Sequence, residues 1–253
     1  MTVSVNYWSD ARCARAFWSQ AELPPYQQLL LDTSEWLDPQ VGQRWLDLGC
    51  GSGQLSRVLW EKSGGRIEAV VGVDVAAINE QAYARLRGTL QPTPTPMCLR
   101  FVAADFSRGF TDWPSEQFHG VVSGLSLPYA ESFSHADGCW TEDAYDRVLA
   151  NVYRLLNPAG TFVFSVNVPD PSWGTVAWHS LAGALRTREP LRYLKKSWRM
   201  WTYGNWLTRE SRRGRFHYLP IETILAKLHR LGFADIEHRL SYAGQAYVIR
   251  CQK

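Results

Sequence analysis

The sequence predicts an α/β protein. It reads as a seven-stranded, mostly parallel sheet with helices on both faces, an antiparallel hairpin at the C-terminal edge, N-terminal helices and a helical insertion before the last helix. Three observations carry this. Short aliphatic and β-branched runs alternate with helical windows of about 10–15 residues, the pattern of strand–helix–strand units. The first run, Arg44–Leu48, opens directly onto Gly49-Cys-Gly-Ser-Gly53, a loop rich in the residue that turns most tightly. The last two runs are joined only by Ser241 to Gly244, too short for a crossover, so they must pair antiparallel.

The elements follow in order. Trp8–Gln20 and Pro25–Leu37 read as two helices, the second with Leu29, Leu30, Leu31 and Trp36 apolar and Pro24-Pro25 at its start, where a missing N–H costs little. Arg44–Leu48 is the first strand. Gln54–Ser63 is a helix that Gly64-Gly65 stops. Glu68–Val73 is the second strand, closing at Asp74, and Ala76–Arg87 the next helix. Gln91-Pro-Thr-Pro-Thr-Pro96 cannot continue that helix and is extended. Leu99–Ala103 and Gly120–Ser123 are the third and fourth strands. A helix from Thr141 to Leu156 is ended by Asn157-Pro-Ala-Gly160, and Thr161–Val166 is the fifth strand. Pro220–Leu231 is the last helix, stopped by Gly232 ahead of strands Ala234–Leu240 and Gln245–Arg250. Val168 to Leu219, 52 residues with Trp173, Trp178, Trp198, Trp201 and Trp206, is too long for a bare loop and must hold helices of its own.

Composition bounds the function. With 253 residues, 45% hydrophobic and 20% charged, disorder, collagen and coiled coil are excluded. No run approaches the ~18 apolar residues of a membrane span. The first ten residues lack a basic region followed by an apolar run, so no signal peptide is expected. The five cysteines (Cys13, Cys50, Cys98, Cys139, Cys251) are odd in number and form no C-x-x-C pair. Neither a metal site nor a disulfide framework is expected, and reduced thiols point to the cytoplasm. The unusual feature is 12 Trp beside 11 Tyr and 10 Phe, more aromatic surface than one core needs. The net charge of +3 argues for no nucleic-acid partner, yet Arg186–Phe216 holds ten basic residues against Glu189 and Glu210, a basic segment on an acidic remainder.

The glycine loop sits between a strand and a helix whose first N–H groups are free to meet a ligand. Its spacing is G-x-G-x-G with Asp47 two residues ahead, not the G-x-G-x-x-G of dinucleotide sites. An acid there suits a ligand bearing a cation rather than a pyrophosphate. Asp74 ends the second strand, where a carboxylate accepts ribose hydroxyls, and Asp105 ends the third, placed to accept from an exocyclic amine. Three acids at the ends of three consecutive parallel strands share one crevice.

On these residues the chain resembles the class I S-adenosylmethionine-dependent methyltransferases. Asp47–Gly53 matches their D/E-x-G-x-G-x-G motif, Val73-Asp-Val the second-strand acid, and Ala104-Asp-Phe the adenine-contacting acid. Phe118-His-Gly-Val-Val-Ser-Gly-Leu resembles the fourth-strand motif, Leu155-Leu-Asn-Pro-Ala-Gly160 the turn before the fifth strand, and Leu231-Gly-Phe233 the closing segment. The resemblance implies a Rossmann-like core and S-adenosylmethionine as cofactor. It implies methionine-end contacts from Asp47 and the backbone of Gly49, Cys50, Gly51 and Gly53, ribose binding by Asp74 beside Val75, adenine recognition by Asp105 with Phe106, and Ser123 near the cofactor. At branch level the chain is loosely similar to the small-molecule, ubiquinone/menaquinone-type enzymes. The implied layout is N-terminal cap helices over 1–40, a cofactor-binding core over 41–167, a substrate-capping insertion over 168–219, and 220–253 completing the core of one domain.

Methyl transfer from a sulfonium needs mainly alignment and exclusion of water, with a base only when the acceptor must lose a proton. The catalytic candidates are therefore few: Tyr129 and His135, which follow the fourth strand. Ser126-Leu-Pro-Tyr129 is superficially like the [DNS]-P-P-[FYW] signature of enzymes that methylate planar amines, but lacks its first proline and falls late. Tyr7, Trp18, Trp198, Trp201, Tyr203 and His217 are candidates to hold the acceptor. The basic aromatic segment has three readings: a lid over a small apolar or anionic molecule, with peripheral membrane contact through 186–216; a grip on RNA, against which the acidic body argues; or a helix pair packed on the core. A protein that binds the cofactor without catalysis is the remaining alternative.

Overall fold

The computed structural model describes residues 6–18, 23–184 and 190–253. Its strands alternate as a sheet buried on both faces requires. In β1 (Arg44–Leu48) Trp45 packs into one layer and Leu46 and Leu48 into the other. In β2 (Ala69–Asp74) Val70 opposes Val71 and Val73. The same division runs through β4 (Phe118–Gly124), β7 (Leu156–Asn167) and β9 (Ala246–Gln252). The first layer is built by α2 (Pro24–Glu35), α3 (Gln54–Lys62) and α4 (Asn79–Thr89), the second by α5 (Asp143–Leu155) and α8 (Ile221–Leu231).

With β3 (Leu99–Ala103) and β8 (Ala234–Ser241), these strands form one seven-stranded sheet in the order β3-β2-β1-β4-β7-β9-β8. β3, β2, β1, β4 and β7 pair in parallel, while β9 pairs antiparallel with both β7 and β8. The chain runs outward from β1 through β2 to β3, then returns to lay β4 on the other side of β1. That reversal leaves a crevice above the C-terminal ends of β1 and β4, where ligands of open α/β sheets bind. Gly120 lets β1 and β4 sit flush, because a Cβ there would meet the Trp45 indole at 2.4 Å.

The expected insertion does carry its own helices, α6 (Trp173–Ala184) and α7 (Pro190–Arg212). Three local expectations are corrected. Trp8–Gln20 is not one helix: Tyr7–Ser9 is a single 3₁₀ turn, and α1 (Ala11–Phe17) starts anew after Asp10, whose carboxylate accepts from the Arg12 amide at 2.7 Å. Residues 19–20 of that expectation lie outside the described residues. The helix after β2 begins at Asn79 rather than Ala76, because Asp74 Oδ1 takes the Ala76 amide at 2.9 Å. Between β4 and α5 lies an unanticipated ribbon, β5 (Phe133–Ser134) paired antiparallel with β6 (Cys139–Trp140). Among the described residues no helix is long and apolar enough to cross a membrane, and no cluster of His, Cys, Asp and Glu is arranged to hold a metal.

Candidate active site

A cavity with about 1120 Å³ of empty space, counting its open mouth, occupies the crevice above β1 and β4. The glycine loop forms its floor. Gly49 turns there at φ +70°, and its amide and that of Cys50 both donate to the Val73 carbonyl, at 2.8 and 3.0 Å. A Cβ at Gly49 would stand 2.2 Å from Ser126 Cβ, so only glycine lets β1 and the segment after β4 close together. Gly51, at φ +50°, is the opposite case: a Cβ would meet nothing within 4 Å, because the space above it is the cavity.

Two acids face this floor. Asp74 Oδ2 accepts from the Gly51 amide at 2.9 Å, and burial pushes its carboxyl above the ordinary range. Asp105 Oδ1 accepts from Ser107 N and Oγ at 3.1 and 2.6 Å, while Oδ2 accepts from Asn6 Nδ2 at 3.2 Å. Val75, Asn79 and Phe106 line the wall between them. A nucleoside-bearing cation fits this end: two carboxylates stand where hydroxyls and an amine can donate, and Gly51 leaves its backbone open to close approach.

Beyond the loop the lining turns aromatic. Trp8 packs against Tyr129 with centroids 4.6 Å apart, Phe17 against Tyr203 at 5.3 Å, and Tyr26 against Tyr242 at 6.4 Å. Trp173, Gly204 and Leu207 of the insertion complete the roof. Leu125, at the end of β4, is held in the left-handed region at φ +54° by bonds from its amide to Ser165 O and Oγ, at 3.0 and 3.1 Å. Such strain at a non-glycine residue gathers at functional sites.

Of the sequence-derived cofactor residues, Gly49, Cys50, Gly51, Asp74, Val75, Asp105 and Phe106 all line the cavity. Asp47, Gly53 and Ser123 do not. Asp47 is 1% exposed, with Oδ2 accepting from Ser56 N and Oγ at 3.0 and 2.7 Å; it braces the loop against α3, and burial raises its carboxyl to about 7. Gly53 caps α3 and packs beneath Leu86 and Tyr83. Ser123 is turned under the loop, donating to Leu48 O at 2.9 Å, and Ser126 takes the cavity position instead. The Cys50 thiol is pushed well above its usual range by burial, which leaves it inert.

The acceptor-side expectations fare unevenly. Tyr129 lines the cavity, its hydroxyl is paired with Tyr218 Oη at 3.0 Å, and burial drives its pKa upward. His135 is exposed in the β5–β6 turn, its ring against Phe133 at 5.2 Å, away from the cavity. Tyr203 lines the cavity. Tyr7 lies behind the wall, stacked on Trp206 at 4.6 Å. Trp18 is outside it, donating Nε1 to Asn79 Oδ1 at 2.7 Å. Trp198 is 66% exposed and meets Trp201 at 4.9 Å; Trp201 packs beside Trp173 in a minor void. His217 is buried beside Tyr145, and desolvation lowers its pKa.

Within the basic segment, residues 185–189 and the side chains of Lys195, Lys196 and Arg199 lie outside the described residues. Its later arginines are paired: Arg212 with Asp170 at 2.9 Å, Arg213 with Glu210 at 2.9 Å, and Arg215 with Glu131 at 3.1 Å. Sequence reasoning missed Asn6, Trp8, Phe17, Tyr26, Leu125, Ser126, Asn167, Trp173, Leu207 and Tyr242. Only Asn167 carried a usable signal, a polar residue at the C-terminal end of a parallel strand. Leu125 and Ser126 directly follow β4, and the rest arrive from distant segments.

Comparison with known proteins identifies the family and agrees with the fold. The methyltransferase domain family matches residues 17–238. A tRNA1(Val) (adenine(37)-N6)-methyltransferase of Dickeya chrysanthemi is 28% identical over 134 residues, and the match spans about half of each chain, 50% of both. Among solved structures, an S-adenosylmethionine-dependent methyltransferase from Mesorhizobium loti aligns with TM-score 0.56 and 22% identity, over 88% of this chain and 96% of that one. Haemonchus contortus phosphoethanolamine N-methyltransferase 2, in complex with S-adenosyl-L-methionine, aligns with TM-score 0.53 and 18% identity, over 90% of this chain and 43% of that one.

Proposed function

This chain belongs to the methyltransferase domain family and is an S-adenosylmethionine-dependent enzyme, and from that premise we propose that its acceptor is a small, apolar or aromatic molecule. One observation carries the proposal: the cavity is acidic and backbone-lined at one end and aromatic at the other. When bound, the sulfonium cofactor supplies an electrophilic methyl. Asp74 would hold the ribose hydroxyls, Asp105 the adenine amine, and the Gly49–Gly51 backbone the methionine end, so that the methyl would face the aromatic half of the cavity, where an acceptor lone pair could take it in exchange for the carbon–sulfur bond.

The chain's contribution is placement and drying. Trp8, Phe17, Tyr26, Tyr203 and Tyr242 hold the acceptor in line and exclude water. Among the described residues that wall presents no carboxylate and no histidine, and the Tyr129 hydroxyl is paired with Tyr218, so the acceptor reacts as the lone-pair form it already carries.

Titration calorimetry with S-adenosylmethionine tests the cofactor end. Wild type should bind, and Asp74→Ala should weaken binding on the order of a hundredfold by removing a charge-assisted acceptor. Methyl-labelled cofactor incubated with a metabolite extract, then mass identification of the labelled product, tests the acceptor class. A second reading, methylation of RNA, draws on the tRNA-methylating relative. It predicts that label enters total RNA rather than the extract. Contact of segment 186–216 with an anionic lipid surface is a separable proposal that liposome flotation checks, with Trp198 its exposed ring.

A further inference from the structure

We infer that Asn167 is the residue that selects and orients the acceptor, and that the acceptor is an uncharged planar molecule with a hydrogen-bond donor and acceptor side by side, as in an amide, a lactam or a hydroxy-carbonyl edge. The inference rests on the methyltransferase reading above and deepens it.

Asn167 is the last residue of β7, 1% exposed, and it lines the cavity. Both polar atoms of its side chain, Oδ1 and Nδ2, are buried without a hydrogen-bond partner. A buried primary amide with neither atom satisfied is rare, because each group loses water and gains nothing. Nor is this strand end loose. Asn167 is paired with Ala246 in the β7–β9 ladder. The next amide, Val168 N, donates to Gln245 O at 3.1 Å, and Ser172 N donates to Gln245 Oε1 at 2.6 Å. These backbone bonds fix Asn167 in the cavity lining, with its amide buried rather than in water.

Its position separates it from the cofactor. β7 lies on the far side of β4 from β2 and β3, which carry Asp74 and Asp105. Among the described residues, the cavity's only acids are those two, and no Lys, Arg or His lines it. The aromatic half therefore offers a bound molecule rings on its faces and, at Asn167, one donor beside one acceptor. An ionic group would find no counter-ion there and would stay in water. A neutral edge that both donates and accepts satisfies the amide completely. Such an edge occurs on free heterocycles and on nucleobases. The roof of Trp173, Tyr203 and Leu207 encloses the space and favours the free molecule.

Wild type, Asn167→Leu and Asn167→Ser are compared by melting temperature, by calorimetric affinity for S-adenosylmethionine, and by label transferred from methyl-labelled cofactor to a metabolite extract in serial dilution and to total RNA. Leu is close to isosteric and removes a partnerless amide, so Asn167→Leu should melt at or above the wild-type temperature. Its cofactor affinity should stay within about twofold. The extract needed for half-maximal labelling should rise at least about tenfold. Asn167→Ser keeps a donor and an acceptor on a shorter arm and should lose less, about threefold.

A fall in melting temperature beyond about 5 °C with labelling per folded protein retained would make Asn167 a structural amide and overturn the inference. Cofactor affinity falling in step with labelling would assign the amide to the cofactor. Label entering RNA instead of the extract would overturn the small-molecule class. Wild-type protein that binds no cofactor, or labels neither pool, would remove the methyltransferase reading itself, before any Asn167 variant is compared.

Discussion

The two halves of the cavity are made by different means. At the acidic end nearly every polar group is spoken for by a backbone partner: Gly49 and Cys50 by Val73 O, Asp74 by the Gly51 and Ala76 amides, and Asp105 by Ser107. At the aromatic end the walls are rings on rings, contributed by the N-terminal segment, α2, the segment after β4, α7 and the β8–β9 turn, with tyrosine hydroxyls and the Asn167 amide as their polar groups. The first end is rigid because hydrogen-bonded backbone is rigid. The second is held by contact area, which tolerates substitution and can be reshaped for a different guest.

The largest blow to this contrast is aimed at the floor. Gly49→Val forces a left-handed backbone on a β-branched residue, costing about 1–2 kcal/mol, and drives its Cβ into Ser126. Cofactor affinity should fall at least about a hundredfold by calorimetry, and near-normal binding would show that the loop backbone is not what holds the cofactor.

Next comes the brace beneath the floor. The Asp47 carboxyl is raised by burial to about 7, above its unfolded value of about 3.9. The folded state thus binds more protons between pH 4 and 7, and stability falls as pH rises through that window. Unfolding free energies from urea titration of wild type and Asp47→Asn should diverge across it by on the order of 3–4 kcal/mol, the Asn variant holding level. Parallel curves would mean that Asp47 carries its charge at no cost.

The cap is tested through Arg215. Its guanidinium meets Glu131 at 3.1 Å and Glu210 at 3.5 Å and lies over the rings of Tyr7, Trp140 and Phe216. Arg215→Met strands the largely buried Glu131 carboxylate, while Glu210 keeps Arg213, and should destabilise by about 3 kcal/mol in urea unfolding while leaving cofactor affinity nearly intact. A larger effect on affinity than on stability would join the two halves that the comparison separates.

The smallest effect sharpens the contrast. Gly51→Ala meets open space but puts a non-glycine residue at φ +50°, which costs about 1–2 kcal/mol, so its melting temperature should fall by a few degrees, and the new methyl occupies ligand volume and should weaken cofactor binding about tenfold.

The acidic half was legible because its signals are local. Asp74, Asp105 and the glycines each sit where a strand ends, and a strand end is readable from the apolar run before it. The same locality misled at Asp47, Gly53 and Ser123. They belong to the right segments, but the Asp47 and Ser123 side chains turn toward α3 and the end of β1, and Gly53 packs beneath Tyr83, an arrangement set by partners on other elements such as Ser56, Tyr83 and Leu48. His135 misled differently: proximity in sequence to β4 placed it near the acceptor, yet the β5–β6 ribbon carries it out to solvent. In the insertion the presence of helices was readable from length and composition. Which tryptophans face inward was not. Trp173 lines the cavity, Trp206 lies one layer behind, and Trp198 faces water.

By itself the sequence determined the sheet, the order of its elements, the loop and the acids at its rim. All follow from periodicity, turn residues and spacing, which act over a few residues at a time. Only the tertiary structure decided what lines the aromatic half of the cavity. The closing wall gathers Trp8, Phe17, Tyr26, Tyr203 and Tyr242 from segments more than 200 residues apart between the first and the last. No local pattern ties such rings together, because their packing is fixed by shape and area across the folded molecule and not by any preference of the chain beside them.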